Sequence, residues 1–235
     1  MSRPGRPRHR DALRPGSTAV EQILDAAGEL FVTQGFTVTS TRSIAEAVGI
    51  RQASLYHHFP NKEAILEALL DATVVPSLEF ARRVTRSVDD PKAALWAVTA
   101  GDAANLLSVP WNLGRLYLLP EVDGIEGFHR RRRELHAVYR ELAINAVGGR
   151  DEFRCGLPVR LTETVIAQRV DDPDITGDEV AGEKVAEAIA DAALRVLGVD
   201  VDEALRTEGR ALVEQHLLEP SQDSGASRRS ASKQL

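Results

Sequence analysis

Cysteine pairs, long apolar runs, catalytic motifs and alternating strand patterns are all missing from this chain, and each absence removes a class of protein. The one cysteine, Cys155, leaves no internal disulfide framework and no zinc-type cysteine cluster. No apolar run approaches the ~18 residues that a membrane span requires. Asp102 interrupts the best candidate, from Leu95 to Val109. The N-terminus is basic with no apolar stretch behind it, so it does not read as a secretory signal. A cytoplasmic location and no membrane partner are therefore expected. No His-Glu-x-x-His, Gly-x-Ser-x-Gly or phosphate-binding glycine loop occurs, and the cysteine has no histidine in a supportive context. His57 and His58 are adjacent and point to different sides of a helix, so they cannot form an i, i+4 metal pair. No catalytic residue, no metal and no cofactor are expected.

What is present is an uneven distribution of charge. The net charge is −6 over 235 residues. Residues 1 to 62 nevertheless carry eight Arg and Lys against five Asp and Glu, while the remainder carries 21 against 30. A basic end suits phosphate contact, and an acidic body limits non-specific adhesion to DNA. Residues 1 to 16 combine Pro, Gly and Arg with almost no apolar residue and read as a disordered basic arm. Residues 220 to 235 read as a disordered polar tail.

Between these ends the apolar residues recur at helical spacing, and the expected class is all-α. A first helix is expected over Thr18 to Gln34, opened by a capping box of Thr18 and Glu21 and stopped by Gly35. A second covers about Thr41 to Val48, capped by Thr39 or Ser40 and ended by Gly49. A third runs from about Gln52 to His58, with Leu55 and Phe59 on its inner side. Pro60 and Asn61 recap the chain for a fourth helix. Pro76, Pro91, Pro110 and Pro120 are expected to punctuate the helical stretch beyond. Further helices are expected over Ile125 to Ala146, Pro158 to Arg169, Glu179 to Leu197 and Asp202 to Leu218.

Two short helices joined through a glycine turn form a helix-turn-helix arrangement, which must lean on the first helix because two-turn helices are marginal alone. With Leu55 and Phe59 turned inward, Gln52, Ala53, Ser54, Tyr56 and His57 remain outside. Such side chains can hydrogen-bond, stack, or touch a thymine methyl, as base-edge readout requires. Arg42, Tyr56 and Lys62 could meet phosphates, as could the amides opening the second helix beside Thr39 and Ser40.

The run T-S-T-R-S-I-A-E-A-V-G-I, then S-L-Y-H-H-F and N-K-E-A-I-L, preceded by A-x-x-L-F-x-x-Q-G-F, resembles the DNA-binding domain of TetR-family transcriptional repressors. The resemblance covers roughly the first quarter of the chain. It implies DNA contacts from Arg42, Gln52, Ala53, Ser54, Tyr56, His58 and Lys62, and leaves the role of His57 open. It also implies a larger helical domain that binds an effector and dimerises. The domains expected are a helix-turn-helix unit at residues 17–62 and an effector-binding and dimerisation unit at 63–219. The partners expected are a double-stranded DNA operator, a small-molecule effector and a second copy of the chain. A protein of the same fold without an effector, or an activator, fits the same residues.

No ligand residue transfers by motif in the larger unit. The helix from Pro91 to about Val109 is apolar nearly all round, which marks it as buried. Trp96, Asp102 and Asn105 on it are costly to bury without partners. With Trp111, Tyr117, Phe128, Arg132, His136 and Tyr139 they form the expected effector pocket. Within the basic block His129–Arg133, Arg132 is in step with Phe128 and Leu135 and could turn inward to an acidic ligand or Asp102. Val165, with the alanine-rich stripe Val185, Ile189, Ala192, Ala193 and Val196, is the expected dimer face.

Overall fold

The computed structural model describes residues 14–149, 151–176 and 179–217. Among the described residues ten α-helices succeed one another: α1 (Ala19–Thr33), α2 (Thr41–Val48), α3 (Gln52–His58), α4 (Lys62–Ser87), α5 (Pro91–Ser108), α6 (Glu126–Val147), α7 (Glu152–Cys155), α8 (Leu157–Asp171), α9 (Glu179–Arg195) and α10 (Glu203–Leu217). Tighter 3-10 turns at Pro110–Leu118, Pro120–Gly124 and Pro173–Thr176 connect some of them. The class is all-α, as the sequence pattern implies, and no helix among the described residues is long and apolar enough to cross a membrane.

Local chemistry sets the boundaries near the N-terminus. Thr18 and Glu21 form a reciprocal capping box at the start of α1. Ser40, not Thr39, caps α2 and accepts from the Ser43 amide at 3.0 Å. Gly49 ends α2 in the left-handed region at φ 79°. Asn61 caps α4 through the Ala64 amide at 2.8 Å. The basic arm lies outside the described residues except at its root. There Arg14, expected to be disordered, pairs with Asp25 at 3.1 Å and with Glu29, and its Nε donates to the Ala47 carbonyl at 3.4 Å. The polar tail also lies outside the described residues.

The larger unit is organised around α5. From Ala93 to Ala103 every residue of α5 is buried. Helices α4, α6, α8, α9 and α10 all pack against it. At Gly101 a side chain of α4 crowds α5, since a Cβ there would lie 2.3 Å from the Phe80 ring. Arg169 of α8 closes the C-terminal end of α5. Its Nη1 donates to the carbonyls of Leu106 at 2.6 Å and Val109 at 2.8 Å, placing a cation where the helix leaves acceptors unpaired.

One expectation needs correction. Pro76 does not interrupt α4, which runs unbroken for 26 residues. A proline removes one amide donor, but here buried Thr73, Val74, Ser77 and Leu78 pin both flanks. Asn105 of α5 reinforces the site by donating to the Thr73 carbonyl at 2.8 Å and the Ser77 hydroxyl at 3.0 Å. The expected dimer stripe is partly covered within the chain. Val165, Ile189 and Ala193 are buried within the chain, while Val185, Ala192 and Val196 are half-buried. Helix α9 spends this face on α5 and α8, because the apolar surround of α5 has to come from somewhere.

Gly101→Ala should lower stability by about 1–3 kcal/mol, since the buried Phe80 ring has no room to swing away. Thermal unfolding of Gly101→Ala, and of Gly101→Ala with Phe80→Leu, tests this. The second change should recover part of the loss, and equal loss in both variants would refute the close-crossing account.

Candidate nucleic-acid interface and interior cleft

Helix α3 is held by little: Leu55 is fully buried and Phe59, just beyond the helix, nearly so. Everything that sequence patterning turns outward is at the surface. Gln52, Ala53, Tyr56, His57 and His58 are exposed and Ser54 is half-buried. Gln52 Nε2 donates to the Thr41 hydroxyl at 2.9 Å, and the Tyr56 hydroxyl lies 3.1 Å from the same oxygen. Thr41 therefore gathers the two outward residues of α3 against the first residue of α2. Sequence reading missed Thr41, although its place directly after the capping Ser40 is a usable signal. Arg42 is exposed and pairs with Glu46 at 2.9 Å, an i, i+4 contact of small energy. Arg51, just before α3, is also exposed and was missed.

Two expected DNA residues are placed differently. Thr39 is buried, and its hydroxyl donates to the Gly35 carbonyl at 2.8 Å, so it anchors the turn after α1. Lys62 is half-buried. Its Nζ donates to the carbonyls of Phe36 at 2.7 Å and Thr39 at 2.9 Å, and stands 4.1 Å from the centre of the Phe36 ring. Its first role is to lock the α1–α2 turn onto α4, with one donor remaining for any phosphate.

In the larger unit, a cleft opens between α4, α5, α6, α8 and the 3-10 turn after α5. Its walls include Thr73, Val74, Asp102, Leu106, Tyr117, Arg132, Leu135, His136, Val159 and Glu163. Counted out to its open mouth, its volume is about 280 Å³. Four of the nine expected pocket residues meet there: Asp102, Tyr117, Arg132 and His136. Tyr139 and Phe128 lie just behind. The Tyr139 hydroxyl donates to Asp102 Oδ2 at 2.9 Å, and the Phe128 ring centre is 5.2 Å from that of Tyr117.

The other three are corrected, each by a protein partner that the sequence could not name. Trp96 donates its indole N–H to Asp191 of α9 at 2.9 Å, and Asp191 is held in turn by Arg195 and Arg206. Asn105 is used in bracing α4. Trp111 sits at the junction of the two units and donates to Asp25 of α1 at 2.8 Å. Trp111 and its neighbour Asn112 both have positive φ, 61° and 49°, a strained pairing fixed in part by Asn112 Nδ2 donating to the Ile166 carbonyl at 2.9 Å.

Charges in the cleft are unevenly matched. Glu163 is gripped by Arg132, by Arg160 at 2.9 Å and by His136 at 3.6 Å. Burial pushes its carboxyl up, but His136 and the arginines outweigh burial and hold it at about 2. Arg132 thus faces inward but serves Glu163, not Asp102. Sequence reading missed Glu163, because a lone acid on an amphipathic helix carries no signal of facing in. Asp102 has the opposite balance. It is 95% buried, and burial, aided by the charge of Glu163, raises its carboxyl from 3.8 to about 6 against the hydroxyls of Ser77 and Tyr139 and the more distant His136. Arg131 belongs elsewhere, tying α6 to Glu67 and Asp71 of α4.

Two short helices about a glycine turn, with a polar outer face on an all-helical body, define a helix-turn-helix DNA-binding protein. Residues 23–69 match the model of the bacterial regulatory proteins of the tetR family. The structure superposes on that of Mycobacterium smegmatis AmtR with a TM-score of 0.77 and 44% identity, over 88% of this chain and 98% of that one. The chain belongs to the TetR family; it is a DNA-binding transcriptional regulator and not an enzyme. Among curated relatives, the transcriptional repressor KstR2 of Rhodococcus jostii is 36% identical over 77 residues, which are 33% of this chain and 38% of that protein. YvkB of Bacillus subtilis is 42% identical over 50 residues, 21% of this chain and 26% of YvkB. FadR of Bacillus subtilis, solved with stearoyl-CoA, shares the fold at a TM-score of 0.56 and 17% identity, over 72% of this chain and 97% of FadR.

Asp102→Asn should stabilise the protein at neutral pH. A carboxyl raised in the folded state keeps its proton there longer than in the unfolded chain, so stability falls as pH rises from about 4 to 6 and the full cost persists above. The variant escapes that cost and keeps an acceptor for Tyr139. Its advantage should be roughly 1–3 kcal/mol above pH 7 and shrink towards pH 5. Urea unfolding of both proteins between pH 5 and 8 measures it. An advantage independent of pH, or a less stable variant at pH 8, would show the carboxyl to be well compensated.

Proposed function

We propose that the chain is a repressor that binds a palindromic double-stranded DNA operator as a homodimer and leaves it when a small molecule occupies the cleft. The observation that carries this reading is the continuity of α4. The helix begins at Lys62, whose ammonium grips the turn before α2, and reaches Thr73 and Val74 in the cleft wall. Eleven residues of helix span ~16 Å, so a displacement at the cleft is transmitted by one rigid rod. A second connection joins Trp111 to Asp25, beside the root of the basic arm at Arg14. That KstR2 is a transcriptional repressor supports the same direction of control.

An effector releases DNA only if it binds better to the conformation whose reading helices are wrongly spaced. In a symmetric dimer the two α3 helices must sit one helical turn apart, ~34–36 Å, or a multiple of that. Tilting α4 at each cleft would spoil this match. A coupling of about 1–3 kcal/mol corresponds to a ~5–150-fold loss of operator affinity. A DNA-binding role implies a cytoplasmic location.

Gln52 and Tyr56 are assigned to base readout, and Arg42, Arg51 and Lys62 to phosphate contact. Gln52→Ala should weaken operator binding by ~1–3 kcal/mol while leaving the fold intact, since Gln52 is exposed. Binding curves against the selected operator and a scrambled duplex give the test. An unchanged preference for the operator in a Gln52→Ala, Tyr56→Ala double variant would remove α3 from the reading role. Lys62→Ala should differ by losing stability as well as affinity, because two carbonyls lose a charged donor. A variant as stable as the wild type in urea unfolding would deny Lys62 its locking role.

A further inference from the structure

The cleft holds two arginines, a histidine and two carboxylates near its walls, but the pairing is lopsided. Arg132, Arg160 and His136 all converge on Glu163. Among the described residues no lysine, arginine or histidine forms an ion pair with Asp102; its hydrogen-bond donors are neutral hydroxyls, and His136 acts on it only from beyond contact distance. A carboxylate 95% buried against a cleft and lacking a counter-ion is costly unless something brings one. Arg132 Nε is the complementary defect, a buried donor with no acceptor. Around these two groups the lining is aliphatic and short-ranged: Val74, Leu106, Leu135 and Val159.

These features constrain an occupant. An anion would meet Asp102 head-on, while Arg132 is already neutralised by Glu163. Any occupant has to part the walls, and a long acyl chain or fused ring system would have to part them furthest. A compact molecule matches the lining best if it carries a positive N–H group for Asp102, a short aliphatic body, and an oxygen to accept from Arg132. We propose that the effector of this protein is a small protonated nitrogen base bearing a hydroxyl or carbonyl oxygen, with Asp102 as its counter-ion and Arg132 as the donor to its oxygen. This rests on the cleft being the effector site. The base supplies the missing charge, and Tyr139 keeps the carboxylate oriented by donating to Oδ2.

The test uses ethanolamine and 3-amino-1-propanol as probes, with ethylene glycol and glycolate as neutral and anionic counterparts of the first. Binding to the full-length protein without DNA is measured by ligand-observed NMR and calorimetry at pH 7.5. The aminoalcohols should bind at least tenfold more tightly than either counterpart, and Asp102→Asn should abolish that preference while remaining folded. Equal binding of amine and glycol, tighter binding of glycolate, no binding of either amine up to tens of millimolar, or an undiminished preference in Asp102→Asn would each overturn the proposal. Operator affinity is measured separately with the same probes. If the amines bind through Asp102 yet the operator complex is unmoved, the ligand class stands and the release mechanism fails. If another compound releases the operator from the cleft while the amines do not bind, the release mechanism stands and the ligand class fails.

Discussion

The burial of α5 on all sides is the constraint on which the larger unit depends. Along its buried turns α5 cannot leave a polar group to water, so each polar side chain there must find a partner within the protein. Trp96 finds Asp191 on α9, Thr99 turns back to the Leu95 carbonyl, and Asn105 finds Thr73 and Ser77 on α4. Asp102 finds the Tyr139 hydroxyl on α6. These contacts fix the rotation of α5 about its own axis, which apolar packing alone would leave loosely defined. They also determine which residue is left facing the cleft. Of the four, Asp102 alone carries a charge, and it is the one whose partners are least adequate.

The same constraint explains what was legible in the sequence and what was not. The apolar pattern of α5 was enough to mark it as buried. The turn Val48-Gly49-Ile50 and the inward pair Leu55 and Phe59 were enough to place α2 and α3. Those features are local, carried by residues within one or two turns of each other. The pocket was read only in part, because a buried polar residue advertises a need for a partner without saying whether protein or ligand meets it. Trp96, Asn105 and Trp111 met it with protein atoms from residues 95, 32 and 86 positions away. Lys62 has a second role that the sequence does not show. A lysine at the head of a helix looks like surface charge, but the backbone carbonyls of the preceding turn fold under it. The alanine-rich stripe of α9 was legible as a contact face, and within the chain its contacts go to α5 and α8.

The two units touch at points of unequal character. Helix α4 is a continuous covalent link, stiff along its length. The junction at Trp111 is a packing contact, made by a side chain held in a left-handed backbone conformation against α1. Asp25 receives both Trp111 and Arg14, so one carboxylate serves the larger unit and the root of the arm together. A movement of the turn after α5 would therefore alter the charge balance around Arg14 as well as the packing of α1.

Helix α3 is fastened by Leu55 and, at its end, Phe59, and its remaining side chains contribute almost nothing to the core. The positions that would choose a DNA sequence are thus separated from those that keep the chain folded. A population of such proteins can exchange residues at Gln52, Ala53 and His57 one at a time without approaching the stability threshold that purges most mutations. Recognition can diverge between descendants while the scaffold stays put, so that two daughters of a duplicated gene come to answer to different promoters by changes confined to a single turn.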